Sequence, residues 1–441
     1  MSGAGEPACW WQARRGVRRV NIRGVLTAGV AAVLGLALAG RPAGAQTPGE
    51  NWIGTWTAAP QPVWNADFPV AWTLPRNLWN QTIRQVAHVS IGGSRVRIVL
   101  SNQFGAQPLV IGAAHVARAG SGSAIVAGSD RALTFGGATS VSIPPGAPAI
   151  SDPVDLDVPP LGDIAVSLFL PETTPVATAH WEGVQTAYIS EPGNHVGDAE
   201  IKPQTTMRSR AFLSGIMVPA PADAQAVVTF GDSITDGANS TPDANRRWPD
   251  MLAARLQKTG NVHLAVLNEA ISGERVLRDR MGVNALAAFD SEVLSQPRVH
   301  TVVLMMGIND IGWPQSALAP HEPVPSADDV IAGYKQLIAR AHLHGLRIIG
   351  ATLTPFDDAF KGLPFEGYFT EAKEARRQAI NQFIRSGAFD GVIDFDAVVR
   401  DPANPRTIQS RFDSGDHLHP NDAGYAAMAD AVDLNMLTGR Q

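Results

Sequence analysis

Two short stretches of the chain carry the residue types that hydrolytic acyl transfer requires. Ser233 lies within Gly-Asp-Ser-Ile-Thr-Asp-Gly at residues 231–237, and Asp416 precedes His419 by three positions. A serine hydroxyl becomes a nucleophile when a base removes its proton, and imidazole titrates close to neutral pH. A carboxylate can hold the second ring nitrogen and stabilise the imidazolium. These residue types predict Ser233 as nucleophile, His419 as base and Asp416 as the group that orients the base.

Two further positions could supply hydrogen-bond donors to an oxyanion. Gly273 and Asn309 each follow an apolar run, and a glycine lets the backbone approach a substrate closely. The predicted oxyanion donors are the backbone N–H of Ser233, the backbone N–H of Gly273 and the side-chain amide of Asn309. Removal of one such donor typically costs about 3–4 kcal/mol of transition-state stabilisation.

Each of these residues also has a purely structural interpretation. Serines are common in Gly-rich turns, and an Asp-x-x-His pattern before a helix is typical of capping. Asp416, His417 and His419 could instead bind a metal, but no other His or carboxylate cluster completes such a site. His417 is interpreted as a surface or supporting residue rather than the base. We therefore predict chemistry without metal or cofactor. Asp232 and Asp236 are expected to organise the turn around Ser233.

The second half of the chain alternates strand-like and helix-like patterns. Strands are predicted at 226–230, 263–268, 301–306, 346–352 and 391–395, and helices at 246–258, 284–294, 326–344, 370–386 and 422–436. Parallel strands joined by crossover helices predict a three-layer α/β sandwich with a five-stranded parallel sheet. In such a sheet the site lies beyond the carboxyl ends of the strands, where all the stretches named above would meet.

The run at 326–344 is the clearest helix in the sequence. Ser326 and Asp329 resemble a capping box at its start, and Gly345 stands where a C-terminal cap belongs. Its apolar residues recur on one face.

The first half has a different pattern. Strands are predicted at 82–91, 95–100, 108–116, 140–143 and 164–170, separated by turn-forming pairs, and no long run has helical period. This spacing predicts an all-β sandwich or jelly-roll domain. Residues 217–224, with two prolines, are interpreted as the linker. The predicted domains are therefore 50–222 and 223–441.

Five tryptophans lie close together near the start of the β-domain. Such clustering could form an aromatic platform for sugar rings, or a strap packed against the protein, and packing is the favoured interpretation. The residues are Trp52, Trp56, Trp64, Trp72 and Trp79. His88, His115, His180 and His195 show no metal-ligand spacing and are interpreted as ordinary structural or surface residues.

The first 45 residues have the pattern of an export signal. Five arginines precede an uncharged apolar run at 25–39, and Ala43-Gly44-Ala45 forms a small-x-small cleavage site. We predict cleavage of residues 1–45, a periplasmic or extracellular product and no stable membrane anchor thereafter, with the Sec and twin-arginine routes both open. The only cysteine, Cys9, lies in this leader, so the mature chain would contain no disulfide.

The charge balance argues against some classes of partner. The whole chain carries a net charge of −6, and the leader contains six Arg and one Glu, so the mature chain would carry −11. An acidic surface disfavours nucleic acid and anionic membrane as the main partner.

Four ordered blocks resemble those of the SGNH (GDSL) hydrolases. They are Gly231-Asp232-Ser233, Gly273, Gly307-Ile308-Asn309-Asp310 and Asp416-His417-Leu418-His419-Pro420. The resemblance implies a flavodoxin-like sandwich and metal-free ester hydrolysis. It assigns Ser233, His419 and Asp416 to the catalytic triad, and Gly273 and Asn309 to the oxyanion hole. One departure is Glu274, where relatives often carry a small or amide residue, and we expect it to place negative charge near the substrate.

The β-domain extends the resemblance. Residues 52–60 and 90–102 are similar to exported bacterial SGNH proteins with an N-terminal β-domain, some of them grouped with esterases from a xylanase cluster. This resemblance implies acyl esters of plant polysaccharide or small aryl esters as substrates. The leading hypothesis is a secreted serine esterase for short acyl groups such as acetyl.

Two alternatives to the esterase hypothesis stay open. The first is a lipase or lysophospholipase that acts on longer acyl chains. The second is a carbohydrate-binding protein whose β-domain is the working part. The loops at 312–325 and 355–369, rich in proline and aromatic residues, are expected to shape the pocket.

Overall fold

The computed structural model describes residues 50–438. The predicted signal peptide at 1–45, its cleavage site and Cys9 lie outside the described residues, so export stays a prediction. None of the helices in the described range has the length and apolar character needed to cross a membrane.

The first part of the described chain consists of β-strands joined by turns. Its antiparallel strands are short because turn-forming residues interrupt the apolar runs. In chain order they are β1 (Trp52–Thr57), β2 (Gln61–Pro62), β3 (Asn77–Leu78), β4 (Gln81–His88), β5 (Gly93–Ser101), β6 (Leu109–Ile111), β7 (Ala113–Arg118), β8 (Arg131–Ala132), β9 (Val141–Ile143), β10 (Pro148–Ile150), β11 (Val154–Val158), β12 (Asp163–Leu170), β13 (Thr174–Pro175), β14 (Thr178–His180), β15 (Ala187–Pro192), β16 (Pro203–Met207), β17 (Arg210–Ala211) and β18 (Leu213–Pro219).

Two antiparallel sheets account for most of these strands. One has the order β1-β18-β5-β10, with β11 also paired to β5, and the other has the order β16-β15-β4-β12-β7-β8. Ile98 and Ile216 from the first sheet and Ile83 and Val166 from the second are fully buried in one hydrophobic cluster. The expected all-β architecture of this part is confirmed.

The linker predicted at 217–224 is wrong in its first three residues. Strand β18 continues to Pro219 and pairs with both β1 and β5. Two nearby prolines hide this strand in the sequence, but Pro219 stands at its last position, where a missing N–H disturbs the ladder least. Only residues 220–224 connect the two parts.

The second part contains the parallel sheet. Its strands are β19 (Gln225–Gly231), β20 (Leu264–Asn268), β21 (Val299–Met305), β22 (Arg347–Ala351) and β23 (Val392–Ile393), in the spatial order β20-β19-β21-β22-β23. All four pairings are parallel, as predicted. The strands are almost continuously apolar because helices cover both faces of the sheet.

Helices form the outer two layers. They are α1 (Ser233–Asp236), α2 (Trp248–Lys258), α3 (Ala285–Phe289), α4 (Ile308–Gly312), α5 (Ala327–Leu343), α6 (Glu371–Ile384), α7 (Phe395–Val399), α8 (Asp422–Ala431) and α9 (Leu434–Thr438), with one π-helical turn at Asp290–Leu294. On β19, Val227 packs in the cluster that contains α2 and α8, whereas Val228 packs in the cluster that contains α3 and α5. Alternate strand residues thus face opposite helical layers, and the predicted three-layer sandwich is confirmed.

The long helix α5 begins and ends as its sequence predicts. Ser326 Oγ accepts a hydrogen bond from the backbone N–H of Asp329 at 3.1 Å, and Asp329 Oδ2 accepts one from the backbone N–H of Ser326 at 2.8 Å. Gly345 has φ of +69° just beyond its C-terminus. Two other predicted helices are interrupted, because 284–294 passes from α3 into the π-helical turn and 422–436 is divided into α8 and α9.

The β-region packs against β20, the edge strand of the parallel sheet. Ser90 Oγ accepts a hydrogen bond from the backbone N–H of Val266 at 3.2 Å, and Gln61 Nε2 donates to the carbonyl of Met281 at 2.9 Å. A Cβ placed on Gly54 would lie 3.0 Å from Leu267 Cδ1, so the two parts approach closely. This packing covers a sheet edge and brings the β-region to the side of the site.

Candidate active site

The turn after β19 places Ser233 at the carboxyl edge of the sheet. Asp232 caps α1, since its Oδ1 accepts a hydrogen bond from the backbone N–H of Ile234 at 3.1 Å. Gly237, with φ of +99°, ends that helix after four residues. A Cβ on Gly231 would lie 2.6 Å from the carbonyl oxygen of Met305, so the strand can turn here only with glycine.

Ser233, His419 and Asp416 form a continuous chain of hydrogen bonds. Ser233 Oγ lies 2.7 Å from His419 Nε2, and His419 Nδ1 lies 2.6 Å from Asp416 Oδ2. Asp416 Oδ1 accepts hydrogen bonds from the backbone N–H groups of Leu418 and His419, and Oδ2 accepts a 2.8 Å bond from Asn239 Nδ2. The carboxylate is therefore held on both oxygens, and the imidazole is positioned by it.

The surroundings favour the charged forms of the histidine and aspartate. Burial alone would raise the pKa of Asp416, but the charge and hydrogen bonds of His419 hold it well below its usual range. Burial would lower the pKa of His419, yet Asp416 outweighs this effect, and Asp232 and Glu182 add to it, so the pKa of His419 is raised. The site thus stabilises an imidazolium, the form that a base reaches after it accepts a proton.

The two aspartates beside Ser233 hold the turn, as expected. Asp236 Oδ2 accepts hydrogen bonds from the backbone N–H and the hydroxyl of Ser272, at 2.9 and 3.0 Å, while its Oδ1 lies 3.1 Å from His180 Nε2. Burial raises the pKa of Asp232 to about 7. Asp236 therefore joins the nucleophile turn to the loop that carries Gly273.

Gly273 and Asn309 lie beside Ser233 in one cavity. Gly273 has φ of +80°, and a Cβ there would lie 2.4 Å from Met281 Sδ. The backbone N–H groups of Ser233 and Gly273 have no hydrogen-bond partner within residues 50–438. Free donors at such positions are what an oxyanion requires.

The amide of Asn309 is fixed by two partners. Its Oδ1 accepts a 2.9 Å hydrogen bond from the hydroxyl of Tyr368, and its Nδ2 donates to the carbonyl of Glu274 at 3.1 Å. Burial raises the pKa of Tyr368 well above its usual value, so the phenol remains a donor. The orientation of the amide is set by these bonds, and the second Nδ2 hydrogen stays available.

The cavity that contains these groups has a volume of about 350 Å³. The β-region contributes Pro69, Val70, Ala71, Trp181 and Glu182 to its wall. The loops predicted to shape the pocket do so through four side chains. These are Trp313, Leu318, Phe360 and Phe365.

A family comparison identifies the second part of the chain. Residues 227–432 match the model of the family GDSL-like Lipase/Acylhydrolase. This part of the chain is a GDSL-like lipase/acylhydrolase domain. The resemblance stated from the four sequence blocks is thereby confirmed, and the protein is a carboxylic ester hydrolase.

Solved structures similar to this chain include three esterases or lipases. An acetyl xylan esterase shares 21% identity over 47% of this chain and 96% of its own, with a TM-score of 0.35. A carbohydrate acetylesterase family member from Sinorhizobium meliloti shares 18% identity over 49% of this chain and 99% of its own, with a TM-score of 0.37. A GDSL-like lipase from Bacteroides thetaiotaomicron shares 17% identity over 48% of this chain and 87% of its own, with a TM-score of 0.36. A comparison with curated proteins found no match.

The tryptophan-rich segment packs beside the GDSL domain. Trp64 is buried, and its ring lies 4.8 Å from that of Trp72 and 5.7 Å from that of Trp181. The ring of Phe68 lies 5.4 Å from that of Trp313, tilted by 33°, and Trp313 lines the cavity. Trp79 is 59% exposed. The packed-strap interpretation therefore describes this segment better than a flat aromatic platform.

Two sequence expectations about neighbouring residues meet different outcomes. Glu274 does not place charge in the cavity, because it is only 1% exposed and burial raises its pKa well above the usual value. His417 is paired with Asp413 at 2.6 Å and is not the group beside Ser233, in line with its interpretation as a surface or supporting residue.

Three residues of the GDSL site escape sequence reasoning. Asn239 binds Asp416, His180 pairs with Asp236, and Glu182 lines the cavity. His180 and Glu182 come from the β-region, where no catalytic pattern surrounds them. Only Asn239, two residues after the Gly231–Gly237 stretch, carried a positional hint. Among residues 50–438, no group of three His, Cys, Asp or Glu side chains is arranged to hold a metal ion.

Proposed function

We propose that the GDSL domain hydrolyses short-chain carboxylic esters, such as acetyl esters, through an acyl-enzyme on Ser233. The observation that carries the proposal is the hydrogen-bond chain from Ser233 Oγ through His419 to Asp416, with distances of 2.7 and 2.6 Å. Free backbone N–H groups beside the same hydroxyl supply the second requirement of acyl transfer.

The reaction follows from these positions. His419 Nε2 accepts the proton of Ser233 as Oγ attacks the carbonyl carbon, and Asp416 stabilises the imidazolium. The oxyanion is stabilised by the N–H groups of Ser233 and Gly273 and by the Asn309 amide. The C–O bond to the alcohol then breaks while His419 protonates the leaving oxygen. Water, deprotonated by His419, attacks the acyl-Ser233 ester, and its collapse releases the acid and restores the serine.

The size of the cavity supports a small acyl group. A volume of about 350 Å³ lies near the lower end of the roughly 300–1,000 Å³ typical of ligand sites. Bulky side chains such as Trp313, Phe360 and Phe365 line it. We expect kcat/KM to be highest for acetyl or butyryl esters and to fall for acyl chains of twelve or more carbons. An ester panel in which long chains are preferred would favour the lipase alternative.

Replacement of the nucleophile tests the proposal directly. Ser233→Ala should lower kcat for p-nitrophenyl acetate by at least about 10³-fold, because no other group can form the acyl-enzyme. Its thermal melt should match that of the wild type. Ser386→Ala changes an exposed serine after α6 and should keep full activity. Undiminished hydrolysis by a folded Ser233→Ala protein would refute the assignment.

We further propose that the enzyme is exported and acts on acyl esters of small molecules or polysaccharide outside the cytoplasm. The pattern of residues 1–45 supports this proposal. N-terminal sequencing of the protein from the periplasm or medium of an expressing bacterium should begin at Gln46. Recovery only from the cytoplasm, with the leader intact, would contradict it.

A further inference from the structure

Glu182 stands where two cavities meet. It lines the mainly apolar cavity that contains Ser233 and His419, and it also lines a polar cleft of about 670 Å³. Asn239 and Asp416 are common to both. The cleft therefore continues the catalytic cavity on the side of Asn239 and Asp416.

The wall of the cleft is rich in hydrogen-bonding groups. Its side chains include one guanidinium group, amides, hydroxyls and carboxylates, and both the β-region and the GDSL domain contribute to it. Besides the shared residues, the polar members are Arg208, Ser240, Asp413, Ser414 and Asn421. Such a mixture of donors and acceptors suits a ligand that carries several hydroxyl groups, which both donate and accept.

The Glu182 carboxyl group has no hydrogen-bond partner in the described part of the chain. Its backbone is nevertheless held firmly on both sides. The N–H of Trp181 donates to Gln61 Oε1 at 2.6 Å, and its carbonyl accepts from Ser209 Oγ at 2.7 Å. The carbonyl of Gly183 accepts from the guanidinium group of Arg247. An unpartnered polar group on a fixed backbone is prepared to bind a ligand.

The backbone conformation next to Glu182 points in the same direction. Val184, also in the cleft wall, has φ of +49°, which is rare for a β-branched residue. The backbone N–H of Asp243 donates to the carbonyl of Val184 at 3.0 Å and helps to hold this conformation. Strained backbone of this kind concentrates at functional sites.

The chemistry of the proposed reaction decides which part of the ester enters the cleft. His419 must protonate the leaving oxygen, so the alcohol has to depart on the side of His419. The polar cleft joins the cavity beside Asp416, the partner of His419. Apolar side chains such as Met281 and Leu318 line the catalytic cavity and suit an acyl group.

Resting on the proposed ester hydrolysis, we propose that Glu182 is a specificity-determining residue. Its carboxyl group binds hydroxyl groups of the alcohol portion of the ester, which is a polyhydroxylated ring such as a sugar. The β-region thus selects the alcohol, and the GDSL domain carries out the chemistry.

The charges around Glu182 are compatible with an uncharged alcohol as its ligand. Burial raises the pKa of Glu182, and the nearby Asp236 raises it further. The protonated form, which burial favours, can both accept from and donate to hydroxyls, and the ionised form accepts from them.

A pair of acetate esters that differ only in hydroxylation provides the test. We would compare a monoacetylated methyl glycoside with cyclohexyl acetate, each on the pH plateau measured for that variant. Glu182→Ala should lower kcat/KM for the glycoside roughly 10- to 100-fold, the range expected when one or two hydrogen bonds to the substrate are lost. Cyclohexyl acetate should change by less than about 3-fold. Glu182→Gln keeps one acceptor, so its kcat/KM for the glycoside should lie between that of the wild type and that of Glu182→Ala.

Controls separate this inference from the proposed function. Glu172→Ala removes an exposed glutamate of the β-region and should leave both rates unchanged. If Glu182→Ala fails to fold, Arg208→Ala, on the exposed side of the cleft, should show the same selective loss.

Several outcomes would overturn the inference. If Glu182→Ala lowers kcat/KM equally for both esters, Glu182 acts through His419 and not on the alcohol. If the ratio of the two kcat/KM values is unchanged, or if the wild type prefers a choline ester, hydroxyl recognition is excluded. If wild-type protein hydrolyses cyclohexyl acetate but not the glycoside, the inference alone fails. If it hydrolyses neither ester, the proposed function fails as well.

Discussion

At the scale of single residues, carboxyl groups control the charge of His419. Asp416 contacts its Nδ1 at 2.6 Å, and Asp232 and Glu182 add negative charge nearby. These groups outweigh the effect of burial and raise the pKa of His419. A stronger base accepts the Ser233 proton more readily, but it is also protonated over a wider range of pH.

This balance predicts the acid limb of the pH profile. Only neutral His419 can accept a proton, so kcat/KM for phenyl acetate should rise with pH, with a midpoint above about 6.5, the usual pKa of histidine. Asp416→Asn removes the largest stabiliser of the imidazolium. It should move the midpoint to lower pH and reduce the plateau by roughly 10³–10⁴-fold, as for other triads. If the acid limb of the pH profile has the same midpoint in Asp416→Asn, a group other than His419 controls that limb.

At the scale of elements, one buried pair connects the β-region to the nucleophile turn. His180 on β14 lies 3.1 Å from Asp236 at the end of α1, and its other ring nitrogen lies 3.0 Å from the carbonyl of Ala59. Asp236 in turn binds Ser272, next to Gly273. The pair therefore ties together the strand, the short helix and the loop that bears an oxyanion donor.

Loss of the pair between His180 and Asp236 should lower the stability of the protein. His180→Ala leaves the Asp236 carboxylate buried without its partner, since the two side chains are only 6% and 2% exposed. We expect the free energy of unfolding in urea to fall by about 2–3 kcal/mol, because a buried hydrogen bond is lost while those from Ser272 remain. The matched control is His195→Ala, which breaks a half-exposed pair with Asp198 and should cost less than about 1 kcal/mol. Similar losses in both variants would contradict a special role for His180.

At the scale of the whole molecule, buried acids make stability depend on pH. Glu269, Glu274 and Glu292 are at most 3% exposed, and burial raises the pKa of each well above its usual value. The folded protein keeps protons that the unfolded chain releases above about pH 4.3. The contribution of these three acids to stability is therefore largest below that pH and falls as the pH rises towards their folded-state pKa values.

Glu274→Gln should remove part of this dependence. Neither carboxylate oxygen of Glu274 has a hydrogen-bond partner among the residues described, so an uncharged isostere loses no bond. The variant should gain about 1 kcal/mol or more in free energy of unfolding at pH 8, because one pKa unit corresponds to about 1.4 kcal/mol. The gain should vanish near pH 4, where the glutamate is neutral in both states. An equal gain at both pH values would point to packing instead.

Much of the GDSL fold could be predicted because its signals are local. Strands such as β19 and β21 are continuous apolar runs that end in Gly and polar residues, and the observed bounds differ from the predicted ones by two residues or fewer. The ends of α5 follow from capping chemistry. The helices α1, α4 and α7 were not predicted, because four or five residues are too few to show a period.

Local patterns in the chain are enough to predict the residue types of the site and the edge of the sheet at which they gather. Ser233, Gly273, Asn309 and His419 follow strand ends or precede a helix, and parallel strands bring their carboxyl ends to one side by a general rule. That His180 and Glu182 join these residues is visible only in the folded protein. Their position depends on how the β-region packs against β20. Many weak side-chain contacts stabilise this packing together, and they leave no periodic pattern in the chain.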